Sequence, residues 1–286
     1  MTRLQIFTLF LASWLVASLA GGHAAKPGEE IAPGVRALAR MSDERLTESS
    51  GVVASRRHPQ LLWTHNDGGG KKRQILFAID RAGRTRGAFP VSGRKFHDWE
   101  DIATDDAGHL YLGDLGNNDA KRDTLAVYEV DEPDPEAGTR SISVKREWKL
   151  KYPRVPFDCE SLFIWKGHGY VVSKVFDDAS AQIFRFPLRD ADGPLTLELV
   201  ATTTIRSPVT GGDISADGNR LGLVAKNGAY VYRIDGDVAR VAKVKPAYTR
   251  CRDEHIEGCC FVPEGLLATS ERRGIFLFTA PAFRGK

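Results

Sequence analysis

Acidic residues recur at the head of short apolar runs along this 286-residue chain. Glu48 opens ESSGVV, Glu100 lies in WEDIA, Glu160 in CESLF and Glu257 in IEGCC, with Gly212 of GGDIS standing at the fourth place. The steps between these positions are 52, 60, 52 and 45 residues. Carboxylates at equivalent places in repeated units converge when the units close into a ring, and they then repel unless a cation or shared protons neutralise them. A hard divalent ion resolves that conflict. Calcium takes roughly six to eight oxygen ligands, which glutamates, a hydroxyl, a backbone carbonyl and water can supply around one axis. The alternative is that each glutamate caps backbone N–H groups where a strand begins.

Steps of this length suit repeated units of four antiparallel strands, a little long for one blade of a β-propeller. Within each step the apolar residues alternate or cluster in runs of about four to seven, separated by Asp-Gly, Asn-Gly, Gly-Gly and Pro. Strands are predicted at 101–104, 110–115, 125–130 and 144–152 in the second unit, and at 161–165, 170–175, 182–187 and 195–203 in the third. The fourth unit reads as 213–216, 221–225, 229–234 and 238–245. Only three strands, 258–262, 265–270 and 274–280, precede the end of the chain in the fifth. A spare apolar stretch from Gly34 to Met41 stands before the first unit and would complete the last. The predicted fold is therefore all-β, a five-bladed β-propeller closed by an N-terminal strand, with one domain spanning 34–286 and no exposed sheet edge at the closure.

Topology converts this pattern into a site. Because consecutive strands run antiparallel, the innermost strand of a blade starts, and the second strand ends, on the same face. The glutamate positions are thus expected beside Asn66 and Asp67, Asp114, Asn117 and Asn118, Lys174, Lys226, and Glu271 with Arg272. Asp67 and Asp114 are the candidate carboxylates for orienting a water molecule, and Asn66, Asn117, Lys174, Lys226 and Arg272 the candidates for holding an anionic group. His65, His97 and His255 could approach the same face as a rival transition-metal site, but histidines without ligand spacing on one element read more readily as hydrogen-bonded residues.

The inner-strand pattern of ESSGV, WEDIA, CESLF, GGDIS and IEGCC resembles that of calcium-activated nucleotidases, secreted apyrases built as five-bladed propellers with one calcium ion in the central channel. The resemblance implies calcium held by Ser50 (or its neighbour Ser49), Glu100, Glu160, the backbone at Gly212 (or Asp213) and Glu257. It spans about a dozen positions, so it bears on architecture and metal more than on activity. HNDGGG and SERRG do not align with that family's acidic and arginine-rich segments. LLWTHND, DWEDIA and LYLGDLGNN make the wider sequence similar to a family of uncharacterised exported bacterial propeller proteins. Two classes follow as expectations: a calcium-dependent hydrolase of phosphate esters or anhydrides, or a non-catalytic propeller with a structural calcium that binds a small anionic ligand or an envelope protein.

Residues 1–25 carry Arg3, an apolar run from Leu4 to Leu19 and small residues up to Ala25, the pattern of a secretory signal cut after Ala20 or Ala25. A soluble periplasmic or secreted monomer is expected, with no membrane span after processing, and Lys26 to Pro33 reads as a linker. The formal net charge of +3 falls by one with Arg3, too weak and too dispersed for a nucleic-acid partner. The GGGKKR run lacks the spacing and terminal hydroxyl of a phosphate loop and reads as a hairpin tip. Neither a Gly-x-Ser-x-Gly elbow nor His-Glu-x-x-His occurs. Trp63, Trp99, Trp148 and Trp165 are expected to pack between blades. Of the cysteines, Cys159, Cys251, Cys259 and Cys260, the adjacent pair should face opposite sides of a strand, and a disulfide from Cys251 to one of them is preferred for an oxidising compartment.

Overall fold

The computed structural model describes residues 25–251 and 254–284; the signal segment, apart from Ala25, lies outside the described residues. Five sheets, antiparallel apart from a short parallel edge strand on two of them, stand around one axis, with innermost strands Ser49–Ala54, Trp99–Thr104, Cys159–Trp165, Val209–Ile214 and Ile256–Val262. The protein is an all-β, five-bladed β-propeller. Val35–Arg40 pairs antiparallel with Gly274–Thr279 and so supplies the missing outer strand of the fifth blade, as expected from the spare apolar stretch.

Apolar alternation along these strands feeds both faces of every blade, so the core divides into five interblade layers rather than one centre. Trp63, Trp99 and Phe96 fill the layer between the first two blades, and Trp148 with Phe186 the next. Tyr232 and Phe163 fill the third, with Trp165 packed against it. Phe278 and Cys259 lie between the fourth and fifth blades, while Met41, Phe77 and Cys260 lie between the fifth and first. Cys259 and Cys260 accordingly point to opposite faces. No disulfide forms among the described residues, so the preferred bridge from Cys251 is absent, although Cys251 and Cys259 share one apolar layer.

Two expectations need correction. The stretch read as a linker carries a further strand, Glu30–Ala32, which pairs with the closing strand and lengthens the fifth blade. In the fourth blade the outer strand is Ala247–Arg250, and Val238–Ala242, expected as that strand, is a 3-10 helix. Its cause is local: the Asp237 carboxylate accepts the Ala239 N–H at 3.0 Å and starts a helical turn that buries Val238 and Val241, three apart, on one side. Elsewhere the excursions before the outer strands double as edge covers, Ile142–Ser143 pairing onto the first blade and Leu195–Thr196 onto the second.

Candidate functional site

Every inner strand begins with the same irregularity. Its first residue pairs with the last residue of the second strand, as Ser49 with Asn66, Trp99 with Asp114, Cys159 with Ser173, Val209 with Ala225 and Ile256 with Ser270, and the register then slips by one. The residue after that first pair is Ser50, Glu100, Glu160, Thr210 or Glu257. A β-bulge turns this side chain out of the pleat and toward the axis. One backbone hydrogen bond recurs beside it in all five blades, from the N–H of Asp67, Leu115, Lys174, Lys226 and Glu271 to the carbonyl of Glu48, Asp98, Asp158, Pro208 and His255, at 2.8 to 3.2 Å. The tertiary register therefore puts Glu48 level with Asp98 rather than with Glu100. Thr210, two residues before Gly212, holds the fourth place in the ring.

These residues enclose a cavity of about 270 Å³ lined by Glu48, Ser49, Ser50, Asp67, Glu100, Asn118, Glu160, Lys174, Lys226, Glu257 and Glu271. Six carboxylates thus face two ammonium groups. Glu160 is ion-paired with Lys174, and Glu257 with Lys226, which also reaches Glu271 at 3.1 Å. Glu100 is 2% exposed and has neither a hydrogen bond nor an ion pair on its carboxylate among the described residues. Burial first, and then Glu160, Asp67 and Asp98, push its carboxyl well above the ordinary range. The same order of causes raises Asp67 to about 6, with Asp98 and Glu48 as its charged neighbours. Burial raises Glu160 to about 7 against the pull of Lys174. Glu257 rises to about 9 through burial and a hydrogen bond with Glu271, against the pull of Lys226.

Of the residues singled out from sequence, Glu48, Ser49, Ser50, Asp67, Glu100, Asn118, Glu160, Lys174, Lys226, Glu257 and Glu271 meet in this cavity. The others do not. Asp114 lies behind it: its carboxylate accepts the His97 and Asp98 N–H groups at 3.1 and 2.8 Å and pairs with Arg122 at 3.1 Å. Asn66 is committed to the neighbouring loop, its carbonyl oxygen accepting from Thr47 and Glu48 and its amide donating to Arg45. Asn117 is held by Tyr152 and Arg122, while its successor Asn118 lines the cavity. Arg272 is exposed and directed at His255. Gly212 lies deeper on its strand than the ring and outside the cavity lining. Even the two lysines differ from expectation, since both are already engaged with carboxylates.

The capping role considered for the glutamates belongs to other acids. Asp101 accepts the N–H of Leu162 on the next blade at 2.8 Å, and Asp213 that of Phe261 at 2.7 Å. The two hydroxyls of the ring act similarly, Ser50 donating to the Glu100 carbonyl at 2.7 Å and Thr210 to that of Ile256 at 3.2 Å. His65 is not part of the face: it is fully buried, stacked on Trp99 at 4.0 Å, with Nδ1 3.0 Å from the Asn66 carbonyl. Below the ring the blades close together. A Cβ on Gly258 would lie 2.6 Å from the Val52 backbone nitrogen, so only glycine lets the fifth blade approach the first.

Sequence reasoning missed Asp98. It stands two residues before Glu100, and one oxygen each from Asp67, Asp98 and Glu100 lie within 4.8 Å of one another. The recurrence of an acid two places before the ring residue, at Glu48, Asp98 and Asp158, was the signal available.

No family model matches this chain, and no curated protein matches it. Among solved structures it is similar to a gluconolactonase from Xanthomonas campestris, with 16% identity over 80% of this chain and 70% of the other and a TM-score of 0.46. A chain of hydrazine synthase from Kuenenia stuttgartiensis is similar at 11% identity, covering 82% and 72%, with a TM-score of 0.46. One from a nidogen–laminin complex gives 11%, 78% and 73%, and a TM-score of 0.44. These are likenesses of fold alone, and neither ion nor substrate is taken from them.

Proposed function

We propose that the axial cavity binds a hard divalent cation, calcium before others, and that a small anionic ligand is bound on the exposed side of that ion. One observation carries this reading: of six carboxylates around the cavity, Glu48 pairs with Arg73 and Glu160, Glu257 and Glu271 share two lysines, while the most buried of the ring glutamates, Glu100, has no hydrogen bond or ion pair among the described residues. An uncompensated buried carboxylate is strongly unfavourable and is relieved by a proton or a cation. The donors fit calcium in kind, being oxygens throughout. Ser50 uses its proton on the Glu100 carbonyl and keeps lone pairs free. When bound, the ion would supply positive charge and Lewis acidity at the floor of the cavity.

Binding is better supported than turnover. The hydrolase reading needs carboxylates free to orient water; of its two candidates Asp67 lines the cavity, but Asp114 is part of the scaffold behind it. A periplasmic or secreted setting, where calcium is plentiful, completes the proposal and rests on residues 1–25. Titration calorimetry of calcium into chelator-stripped protein, with melting followed in parallel, tests it. Saturable binding with a rise in Tm is expected, and E100Q should weaken both. Absence of calcium binding, with identical melting in chelator and in excess calcium, overturns the proposal. Calcium-dependent cleavage of a phosphomonoester, phosphodiester or nucleotide would restore the hydrolase reading in its place.

A further inference from the structure

We infer that the ion's seat is off the five-fold axis, between the first and second blades, with Asp67, Asp98 and Glu100 as its protein ligands. This inference rests on the cation reading above and specifies where in the cavity that cation binds.

The ring is electrostatically divided. On the side of the third to fifth blades, Glu160 and Glu257 already have ammonium partners in Lys174 and Lys226. On the opposite side Glu100 is buried without any partner, and the carboxylate of Asp98 likewise has no hydrogen bond or ion pair among the described residues. Oxygens that each lie about 2.4 Å from one calcium ion can be at most about 4.8 Å apart. One oxygen from each of Asp67, Asp98 and Glu100 meets that limit.

The backbone around these groups is shaped to let them converge. At Gly116 a Cβ would fall 2.2 Å from both Asp98 Oδ2 and Glu100 Oε1, so any side chain there would push the two carboxylates apart. Asp98 itself is fixed from both sides. Its N–H is held by the Asp114 carboxylate at 2.8 Å, and its carbonyl accepts from Leu115 and Gly116 at 3.0 and 3.3 Å. Arg122 in turn holds Asp114. This scaffold brings two carboxylates together with no cationic side chain bonded to either, Lys174 and Arg122 acting on them only through space, an arrangement that a bound cation or a retained proton relieves and that backbone capping does not.

Four proteins distinguish the off-axis seat from an axial one in calcium titrations: the unaltered chain, D98N, G116A and E257Q. For an off-axis ion, D98N and G116A should each weaken calcium binding at least tenfold, and each by more than E257Q, whose wild-type carboxylate is engaged by Lys226. D98N breaks no hydrogen bond of its own side chain, so it reports even if G116A folds poorly. Loss of binding in E257Q with normal binding in D98N would overturn the placement and restore an axial ion, and equal losses in both would overturn it in favour of a ring-wide site. Failure of the unaltered chain to bind calcium would remove the cation reading itself and the placement with it.

Discussion

Asp114 illustrates how a polar residue at a site's edge can act through the backbone. Its carboxylate faces two N–H groups, the Tyr128 hydroxyl and one guanidinium, so it fixes the His97–Asp98 turn and lies outside the cavity lining. Asp114→Asn should therefore lower stability by about 1–3 kcal/mol, since one oxygen becomes a donor facing donors and Arg122 loses its counter-ion. Chemical denaturation of the two proteins decides this; unchanged stability would return Asp114 to a role in the cavity. His65 gives a second prediction. Burial pulls its pKa from 6.5 down to about 3, opposed only by the Asn66 carbonyl. The unfolded chain binds a proton below pH 6.5 that the folded chain refuses until near pH 3, so this residue's contribution is complete above 6.5 and is lost as pH falls between those values. The slope is about 1.4 kcal/mol per pH unit. His65→Gln, measured by urea unfolding at several pH values, should be less stable at neutral pH but flatter across that window. Parallel profiles for the two proteins would show that the imidazole is solvated.

At the scale of elements, the bulge at the start of each inner strand is what makes a site from a repeat. Without it, residues 50, 100, 160, 210 and 257 would continue the pleat into the interblade layers, where a glutamate could not be tolerated. The closing strand is the other decisive element. Val35–Arg40 covers an edge of the fifth blade that would otherwise expose unpaired backbone groups along Gly274–Thr279. Deleting residues 26–41 also removes the buried Val35 and Met41 from two interblade layers. Size-exclusion chromatography should then show aggregate, or circular dichroism an unfolded chain. A monomeric deletion variant with unchanged melting would mean that the fifth blade is stable with three strands.

Over the whole molecule, five layers of similar construction are joined into a ring, and no blade has a core of its own. The first and last blades meet through Met41, Phe77 and Cys260, so opening any layer exposes apolar surface on two blades at once. Unfolding is expected to be one cooperative transition. Tryptophan fluorescence, reporting on the layers around Trp63, Trp99, Trp148 and Trp165, should coincide with far-ultraviolet circular dichroism in denaturant. Separate midpoints for the two probes would show that blades unfold singly.

Much of this was legible in the chain itself. The 52, 60, 52 and 45-residue steps, the turn residues between apolar runs and the spare strand before the first unit determine five blades and their closure, because strand period and turn chemistry are local properties. Antiparallel topology alone then assigns Ser50, Asp67, Glu100, Glu160, Lys174, Lys226 and Glu257 to one face. Which groups meet within that face depends on register and on distances below one residue's length. Tertiary structure decided that Thr210 rather than Gly212 completes the ring, since the pairing of Val209 with Ala225 sets the strand's register two places away from the one read off GGDIS. It paired both lysines with glutamates, left Glu100 unpaired and brought Asp98 beside it. The pairing of Lys226 with Glu257 depends on how separate blades approach one another, as at Gly258 against Val52, whereas Asp98 meets Glu100 within one blade because Gly116, on the loop after the second strand, has no Cβ to part them.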